Sequence, residues 1–257
     1  MLRVKNGLYK EFKDLKRKYI FSDITESTNS DIKSMIYGTK EAFFGVVSAG
    51  EQTGGRGRLG RNFFSPDGGL YFSFSLPLNG NEKNIPFITL LAGLTVSKAI
   101  EELTGAYTEI KWPNDIYING RKLGGILCEL VCKNRLTAII GIGINLTVPY
   151  EDIPSELQQK MTSFVIEKIP VPDKKTLIEE ILKRFDKAVY TDGELYEVSD
   201  AVISEIRCRS YSIGKKVRYS VNNAEYDGVL INITRTGAAE IRLSDGTVKE
   251  IFCGEII

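Results

Sequence analysis

Glycines and arginines alternate in residues 54–61, where the sequence reads GGRGRLGR. Glycine lets the backbone approach a ligand closely and reach positive φ, whereas arginine is always cationic and binds carboxylate or phosphate groups through a planar set of donors. The pattern predicts a loop that surrounds an anion with backbone N–H groups and positive charge. A basic surface loop without a ligand would have the same sequence, and the spacing does not match the GxxxxGK[ST] phosphate-binding loop.

A second group of polar and charged residues lies in residues 110–125, IKWPNDIYINGRKLGG. The Asn-Gly pair at 119–120 stands between two apolar runs and predicts a β-hairpin with a type I′ turn. Pro113 cannot donate to a strand ladder, so we expect the first strand to be interrupted there. Lys111, with the amide and carboxylate that follow, could form a reactive site at this interruption, and Lys122 could point back to it. A solvated hairpin with ordinary surface lysines is the alternative.

Hydroxyl and amide groups also occur where predicted elements begin and end. The Ser-Thr-Asn sequence at 27–29 precedes a helix predicted from the apolar residues between 32 and 36. Such residues commonly cap helices, and the free N–H groups at a helix N-terminus also bind polar ligands, so both roles can hold. Asn145 ends an apolar strand and places an amide at its terminus.

The elements that must position these groups follow from hydrophobic periodicity. Strands are predicted at 19–24, 43–49, 70–76 and 136–145, and helices at 9–19, 84–103, 173–189 and 195–207. Apolar and small polar residues alternate in 70–76, which predicts a half-buried strand. The sequence therefore predicts a mixed α/β domain.

From about residue 210 the sequence changes to short strands separated by tight turns. These strands are predicted at 214–218, 225–233, 239–243 and 248–252. The spacing predicts a small β-barrel of roughly 45 residues. A barrel of this size is marginal alone, so we expect it to pack on the larger domain.

Composition excludes several classes of chemistry. The 257 residues include no histidine, which removes Ser-His-Asp and Cys-His catalysis and every histidine-ligated metal site. The net charge of +1 gives no overall attraction to nucleic acid or to an anionic membrane. The charged N-terminal sequence does not resemble a signal peptide and no apolar run is long enough to span a membrane, so we expect a cytoplasmic protein. The four cysteines form no CxxC pair, which predicts reduced and mostly buried thiols.

Together these motifs resemble those of biotin protein ligases in order and spacing. The matching segments are Ser-Thr-Asn at 27–29, Gln52 followed by GRGRLGR at 55–61, KWPND at 111–115, RKLGGILCEL at 121–130, GIGIN at 141–145 and GEI at 254–256. The resemblance covers roughly residues 20–257, and the arginine-rich motif together with KWPND is highly specific for the family.

The resemblance implies a fold and a domain organisation. Members of this family have an α/β (α+β) catalytic domain, with a mixed sheet and flanking helices related to class II aminoacyl-tRNA synthetases, and a small C-terminal SH3-like β-barrel. The expected catalytic domain is 1–209, in which 1–20 form a short extension, and the expected barrel is 210–257. About twenty residues precede the first catalytic strand, which implies a monofunctional ligase without an N-terminal winged helix.

The reaction implied by the resemblance has two steps. The biotin carboxylate attacks the α-phosphorus of ATP, which arrives with Mg²⁺, to give biotinoyl-5′-AMP and pyrophosphate. A lysine amine on a biotin carboxyl carrier domain of a carboxylase then takes the biotin. Because no enzyme nucleophile is required, a chain without histidine suits this chemistry, and catalysis should depend on positioning and charge neutralisation.

The matched residues take their expected roles from the same resemblance. Biotin-binding residues are expected to be Ser27, Thr28, Asn29, Gln52, Gly55, Arg56, Gly57, Arg58, Lys122 and Gly124. Residues that bind ATP or the adenylate are expected to be Arg56, Arg58, Arg61, Phe63, Lys111, Trp112, Asn114, Lys122 and Asn145. The expected catalytic residues are Lys111, Arg56, Arg58 and Asp115. No resident metal site is expected, and the arginine-rich loop should order over biotin and shield the adenylate. Phe63 stands where close relatives are expected to carry a tryptophan.

Alternatives remain open from the sequence. A lipoate–protein ligase would share the fold and the adenylate chemistry, but its histidine-containing motif is not found in a chain without histidine. A biotin-responsive repressor would need a basic recognition helix, so no nucleic-acid partner and no membrane partner are expected. A catalytically silent biotin-binding module would not need these lysines and arginines. The family resemblance also implies a possible homodimer.

Overall fold

A computed structural model of the chain describes residues 10–12, 17–38, 44–78, 85–191, 194–195, 199–221, 224–252 and 254–256.

An eight-stranded mixed sheet forms the larger part of the protein. Its strands are β1 (Lys10–Phe12), β2 (Arg17–Thr25), β3 (Gly45–Gln52), β4 (Gly69–Pro77), β5 (Glu109–Lys111), β6 (Asp115–Ile118), β7 (Arg121–Cys132) and β8 (Leu136–Asn145). Their order across the sheet is β1-β2-β3-β4-β8-β7-β6-β5. β2 and β3 are parallel and the other neighbours are antiparallel, which confirms the predicted mixed sheet.

Helices cover both faces of this sheet. They are α1 (Thr28–Gly38), α2 (Ile85–Thr104), α3 (Lys174–Val189) and α4 (Asp200–Cys208). Successive side chains on a strand point to opposite faces, so Val46 belongs to the large cluster under α2 and α3 while Val47 packs with α1. The central strands are consequently buried on both sides.

The expectation of a half-buried strand at 70–76 was wrong. Phe72 and Phe74 face the large cluster, where the Phe74 ring packs edge-on against Phe185 of α3 at 4.9 Å. Ser73 and Ser75, on the opposite face, are also fully buried, because α1 contacts this side of the strand. The alternation therefore separates an apolar interface from a polar one.

Two predicted helices also need correction. Residues 10–12 and 17–19 are paired antiparallel strands, so the helix predicted at 9–19 was wrong where the structure describes it. Pairing with the sheet overrides the local helical preference there. The helix predicted at 195–207 begins later, at Asp200, where the Ser199 hydroxyl accepts a hydrogen bond from the Val202 amide.

The hairpin at 119–120 is confirmed. Asn119 and Gly120 have φ angles of 50° and 76°, as the two central residues of a type I′ turn require. Pro113 follows a cis peptide bond, and the strand is interrupted there, between Lys111 at the end of β5 and Asp115 at the start of β6.

A second, five-stranded antiparallel sheet lies at the C-terminus, where the sequence predicts the small barrel. Its strands are β11 (Lys216–Val221), β12 (Ala224–Ile233), β13 (Ala239–Arg242), β14 (Val248–Ile251) and β15 (Glu255–Ile256), in the order β14-β13-β12-β11-β15. Two short strands, β9 (Tyr190–Thr191) and β10 (Glu194–Leu195), pair with each other after α3. The buried side chains of the second sheet belong to the same cluster as those under α2 and α3.

The cysteines differ from expectation in burial. Cys128 is partly buried, whereas Cys132 and Cys208 are exposed, so the prediction of mostly buried thiols was wrong for these two. Cys253 lies outside the described residues. These three described cysteines are free thiols, as predicted. Among the described residues, no helix is long and apolar enough to cross a membrane.

Candidate active site

One cavity opens between the N-terminus of α1, the arginine-rich loop and the middle of β7 and β8. Its walls are formed by residues 27–29, Gln52, 56–59, 61–63, 114–115, Lys122, 125–127 and 141–143. We call it the first cavity. It brings together the predicted Ser-Thr-Asn sequence, Gln52 and the arginines, which are far apart in sequence.

A continuous hydrogen-bond network forms one side of the first cavity. The Thr28 amide donates to Gln52 Oε1 (3.0 Å), and the Thr28 and Ser73 hydroxyls are 2.6 Å apart. Ser73 Oγ donates to Asn29 Oδ1 (2.6 Å), and Asn29 Nδ2 donates to Glu129 Oε2 (2.8 Å). Thr28, Asn29 and Ser73 are all buried. Each polar side chain is held in one orientation by its neighbours.

Two glycines of β8 make room for side chains of this cavity. A Cβ on Gly141 would lie 2.2 Å from Asn29 Oδ1, and one on Gly143 would lie 2.5 Å from the Phe63 ring. The adjacent strand is also close, since a Cβ on Gly124 would lie 2.4 Å from the Gly143 carbonyl oxygen. The glycines of GIGIN therefore allow Asn29 and Phe63 to lie flat against the sheet.

The arginine-rich loop forms a short hairpin beside the first cavity. The Gly57 amide donates to the Arg61 carbonyl (2.7 Å), and the Arg61 amide donates to the Arg58 carbonyl (3.2 Å). The tip turns through Leu59 and Gly60, whose φ angles are 57° and 75°. This geometry places all three arginines of the motif on the cavity wall, where they can contact an anion.

Two members of the loop have specific local contacts. Arg56 forms an ion pair with Glu26 at 3.0 Å, and both side chains are well exposed. Gly55 lies outside both cavity walls, where a Cβ would be 2.4 Å from Ser65 Oγ and 2.5 Å from the Phe63 carbonyl oxygen. Gly55 thus permits close packing at the base of the loop.

A second cavity adjoins the first. Of the predicted nucleotide-binding residues, Arg56 and Arg58 line only the first cavity. The other seven line the second cavity, whose wall includes Arg61, Phe63, Lys111, Trp112, Asn114, Lys122 and Asn145, together with Asp115, Tyr117, Lys160, Met161, Tyr211 and Ile256. The two cavities share Arg61, Asn62, Phe63, Asn114, Asp115 and Lys122. Ligands in the two cavities would therefore meet at this common wall.

Lys122 and Asp115 form an ion pair in the common wall, and Lys111 lies further along the second cavity. Lys122 Nζ lies 2.7 Å from Asp115 Oδ1 and 5.8 Å from the centre of the Phe63 ring. Lys111 Nζ lies 5.4 Å from the centre of the Tyr117 ring. The ammonium groups of Lys111 and Lys122 thus lie along the second cavity, and the carboxylate of Asp115 orients that of Lys122.

Asn114 and Asn145 of the second cavity are anchored by backbone contacts. Asn114 Nδ2 donates to the Ile126 carbonyl at 2.9 Å, and the Ile126 amide donates to the Asn114 carbonyl at the same distance. Asn145 Nδ2 donates to the Thr162 carbonyl (2.9 Å), while its buried Oδ1 has no hydrogen-bond partner among the described residues. That oxygen can accept from a ligand.

Trp112 both lines the second cavity and contacts the C-terminal part of the chain. Its side chain is buried, and its indole N–H donates at 2.9 Å to the carbonyl of Gly237, in the turn between β12 and β13. It lines the second cavity and also joins the two sheets.

The segment after β8 closes the outer side of the hairpin. The Lys122 amide donates to the Lys160 carbonyl, and the Thr162 amide donates to the Lys122 carbonyl. Burial raises the pKa of the Glu167 carboxyl, but hydrogen bonds from Thr162 and Asn119 and the charge of Arg121 outweigh it and hold that pKa below its usual range. Glu167 is therefore a stable anionic anchor for the hairpin that carries Lys122.

The sequence analysis missed several residues of the site. Ser73 and Glu129 belong to the network of the first cavity, and Tyr117, Lys160 and Tyr211 line the second. A carboxylate within the apolar run GGILCELV was the available signal for Glu129. The described part of the chain contains no group of three or more acidic, cysteine or histidine side chains placed to hold a metal ion.

Comparisons with known proteins identify the family of this chain. A sequence model of the Biotin/lipoate A/B protein ligase family matches residues 21–145. The chain is similar in structure to the biotin protein ligase from Aquifex aeolicus in complex with biotin and ATP, with a TM-score of 0.77 and 31% identity over 93% of this chain and 97% of that one. The chain belongs to the biotin protein ligase family.

Two curated relatives extend this family assignment. The bifunctional ligase/repressor BirA of Bacillus subtilis is 35% identical over 216 residues, 82% of this chain. The chain spans 65% of the length of that relative. The biotin–[acetyl-CoA-carboxylase] ligase of Mycobacterium tuberculosis is 27% identical over 91% of this chain and 86% of its own length. The family's catalytic fold is thus present in this chain.

Proposed function

We propose that this protein activates biotin with ATP and transfers it to a lysine of a biotin carboxyl carrier domain of a carboxylase. The observation that supports this most directly is the common wall of the two cavities. The first cavity, with its polar network and arginines, and the second cavity, with its lysines, meet at Asp115 and Lys122. An acid held in the first would present its carboxylate to a nucleotide held in the second.

The proposed biotin site is the first cavity. The ureido ring of biotin is neutral and needs both donors and acceptors, which Ser27, Thr28, Asn29 and Gln52 carry. These residues line one end of the cavity, while Arg56 and Arg58 line the loop side. The ring would bind at the polar network, and the carboxylate would extend toward the arginines and Lys122.

The proposed first step occurs at the common wall. A biotin carboxylate oxygen attacks the α-phosphorus of Mg²⁺-bound ATP, the bond from that phosphorus to the bridging oxygen breaks, and pyrophosphate leaves with the bond's electron pair. Lys111 would neutralise charge on the α-phosphate, Lys122 would hold the carboxyl oxygen, and Arg61 would face the departing pyrophosphate. The rate would come from positioning and charge stabilisation at phosphorus.

The proposed second step uses the same wall. The amine of the carrier lysine attacks the carbonyl carbon of biotinoyl-5′-AMP, an amide bond forms, and AMP leaves. Asp115 would orient the incoming amine or take its proton. Its carboxylate lies 2.7 Å from the Lys122 ammonium, so it already contacts one amine group in the common wall. The arginine-rich loop would shield the mixed anhydride from water until the carrier arrives.

We propose that residues 1–209 form the catalytic domain and residues 210–257 the C-terminal SH3-like domain. The position where the chain leaves the large sheet supports this boundary. Ser210 still pairs with Ile110 of the large sheet, and the next strand, β11, belongs to the second sheet. The C-terminal domain would complete the nucleotide site, since Tyr211 and Ile256 line the second cavity.

A homodimer joined along β2 is the proposed assembly. Among the described strands, β1 pairs only with residues 17–19 of β2, so residues 20–25 have a strand neighbour on one side. Phe21 and Ile24 on this edge are 44% and 61% exposed. Light scattering of the wild type and of Ile24→Glu tests it: a dimer that becomes a monomer supports the proposal, and a wild-type monomer contradicts it.

Transfer of labelled biotin to a purified carrier domain, with ATP and Mg²⁺, tests the proposed function. Label should appear on the carrier only when ATP is present, and it should not appear when the acceptor lysine is replaced by arginine. Labelled lipoate serves as the control acid. Transfer of lipoate with no transfer of biotin would contradict the proposal and identify a lipoate ligase.

A further inference from the structure

Glu129 lies beside the proposed biotin site but does not form its wall. Its Oε2 accepts from Asn29 Nδ2 at 2.8 Å, and its Oε1 lies 3.7 Å from the Lys33 ammonium. The Glu129 side chain is 27% exposed, and Asn29 is buried. The carboxylate is therefore the outer end of the hydrogen-bond network that lines the first cavity.

A carboxylate at this position determines which way the Asn29 amide faces. A carboxylate can only accept hydrogen bonds, so Asn29 must turn its NH2 group toward Glu129. The Leu127 carbonyl, 3.4 Å from Asn29 Nδ2, favours the same orientation. Asn29 Oδ1 consequently faces Ser73 and Gly141, and Gly141 is part of the cavity wall.

This orientation passes along the network from one residue to the next. Ser73 Oγ donates its only proton to Asn29 Oδ1, so it must accept the proton of the Thr28 hydroxyl, 2.6 Å away. Gln52 Oε1 accepts the backbone N–H of Thr28 and lies 3.2 Å from its hydroxyl, and Gln52 Nε2 faces Ser65 Oγ at 3.0 Å.

The far end of the network is fixed as well. Ser65 Oγ donates to the Phe63 carbonyl oxygen at 2.9 Å, and a carbonyl can only accept. The network therefore runs between two acceptors, Glu129 and the Phe63 carbonyl. Within this network, the groups left for a ligand are lone pairs on Asn29 Oδ1 and Thr28 Oγ1 and the second N–H of Gln52.

We propose that Glu129 is a positioning residue that sets the donor and acceptor pattern of the biotin site, an inference that rests on the proposed function. Two acceptors and a donor complement a cyclic urea, which has two N–H groups and one carbonyl. If the Asn29 amide were reversed, an N–H group would face the N–H edge of the ligand. Glu129 thereby selects a ureido ring without touching it.

A reversal of polarity tests this role by calorimetric measurement of biotin binding. Asn29→Asp places two carboxylates against each other, and we expect its affinity for biotin to fall by about 100-fold. Glu129→Gln alone should weaken binding by about threefold to tenfold, because glutamine can present either its oxygen or its NH2 group. The double variant Asn29→Asp with Glu129→Gln restores a donor opposite an acceptor. It should bind biotin at least about tenfold more tightly than Asn29→Asp.

Two further variants separate the hydrogen-bond network from the ion pair of Glu129. Lys33→Ala removes the other partner of Glu129 and should leave biotin affinity within about twofold of wild type. Ser73→Ala interrupts the network at its centre and should weaken binding by about tenfold, with thermal melting used to check folding.

Biotin binding by the double variant that is no tighter than by Asn29→Asp would overturn the proposal, and so would wild-type affinity in Ser73→Ala. Wild-type protein that binds no biotin would contradict the proposed function itself, so the two failures are distinguishable.

Discussion

At the scale of single residues, Gly141 is the position where the backbone must leave space for a polar side chain. It pairs with Leu127 on β7 and with Ser73 on β4, directly under the Asn29 amide. A Cβ there would lie 2.2 Å from Asn29 Oδ1, so any larger residue must displace that amide. The strand itself tolerates alanine, and the expected effect is on the site.

Gly141→Ala should weaken biotin binding by about tenfold or more, because the displaced Asn29 loses at least one hydrogen bond of the network. Calorimetric titration with biotin measures this. The control is Gly38→Ala at the end of α1, where a Cβ would meet nothing within 4 Å. Equal affinities of the two variants would contradict the packing that we describe.

The polar residues of the site differ in how far the sequence could predict them. The Ser-Thr-Asn sequence and Gln52 were recognisable from short motifs, and the structure brings them to one cavity. Ser73 and Glu129 stand 44 and 100 residues from the asparagine they contact, so no local pattern could pair them. Only the sheet register connects these positions.

At the scale of elements, a buried arginine joins β2 to α3. Arg17 is fully buried. Its guanidinium Nη2 lies 2.5 Å from Asp186 Oδ1, and its Nη1 donates to the Ser75 carbonyl at 2.9 Å. The guanidinium also lies 4.0 Å from the centre of the Phe44 ring. A buried cation of this kind depends on its carboxylate partner.

Asp186→Ala should lower the free energy of unfolding by about 3–5 kcal/mol, because it leaves the buried Arg17 guanidinium without a counter-charge. Urea denaturation measures the change. Asp227→Ala is the matched control, since its partner Arg218 is exposed and the free energy of unfolding should stay nearly unchanged. A comparable loss in both variants would show that Arg17 does not need its partner.

Elements were predicted well where the signal is local. The hairpin at 119–120 depends on two residues that accept positive φ, and both its position and its turn type are confirmed. The extended residues at 10–12 and 17–19 depend on pairing with each other and with β3, and the sequence favoured a helix there. Strand pairing between distant segments is what periodicity cannot supply.

At the scale of the whole molecule, one glycine marks the contact between the two sheets. Gly237 has a φ of 84°, and a Cβ there would lie 2.5 Å from the backbone nitrogen of Phe87 in α2. Its carbonyl accepts the indole N–H of Trp112, beside the second cavity. The turn between β12 and β13 is therefore held against α2 and against Trp112, beside the second cavity.

Gly237→Ala should destabilise the protein more than Gly246→Ala, which has the same backbone strain in open space at a φ of 86°. Strain alone should cost about 1–2 kcal/mol in Gly246→Ala, and the clash with α2 should add at least about 1–3 kcal/mol in Gly237→Ala. Thermal melting of the two variants gives the comparison. Equal melting temperatures would mean that the turn at Gly237 does not pack against α2 as closely as described.

The exchange of labelled pyrophosphate into ATP is the sharpest test of the proposed activation of biotin, since it reports adenylate formation without a carrier protein. We predict exchange that depends on biotin and not on lipoate. Lys111→Ala should slow it by at least about 100-fold, because a cation that stabilises charge at the α-phosphate is lost. Transfer from pre-made biotinoyl-5′-AMP should fall far less in the same variant. Wild-type protein without biotin-dependent exchange would contradict the proposed function. Equal losses in both steps for Lys111→Ala would contradict the role proposed for Lys111.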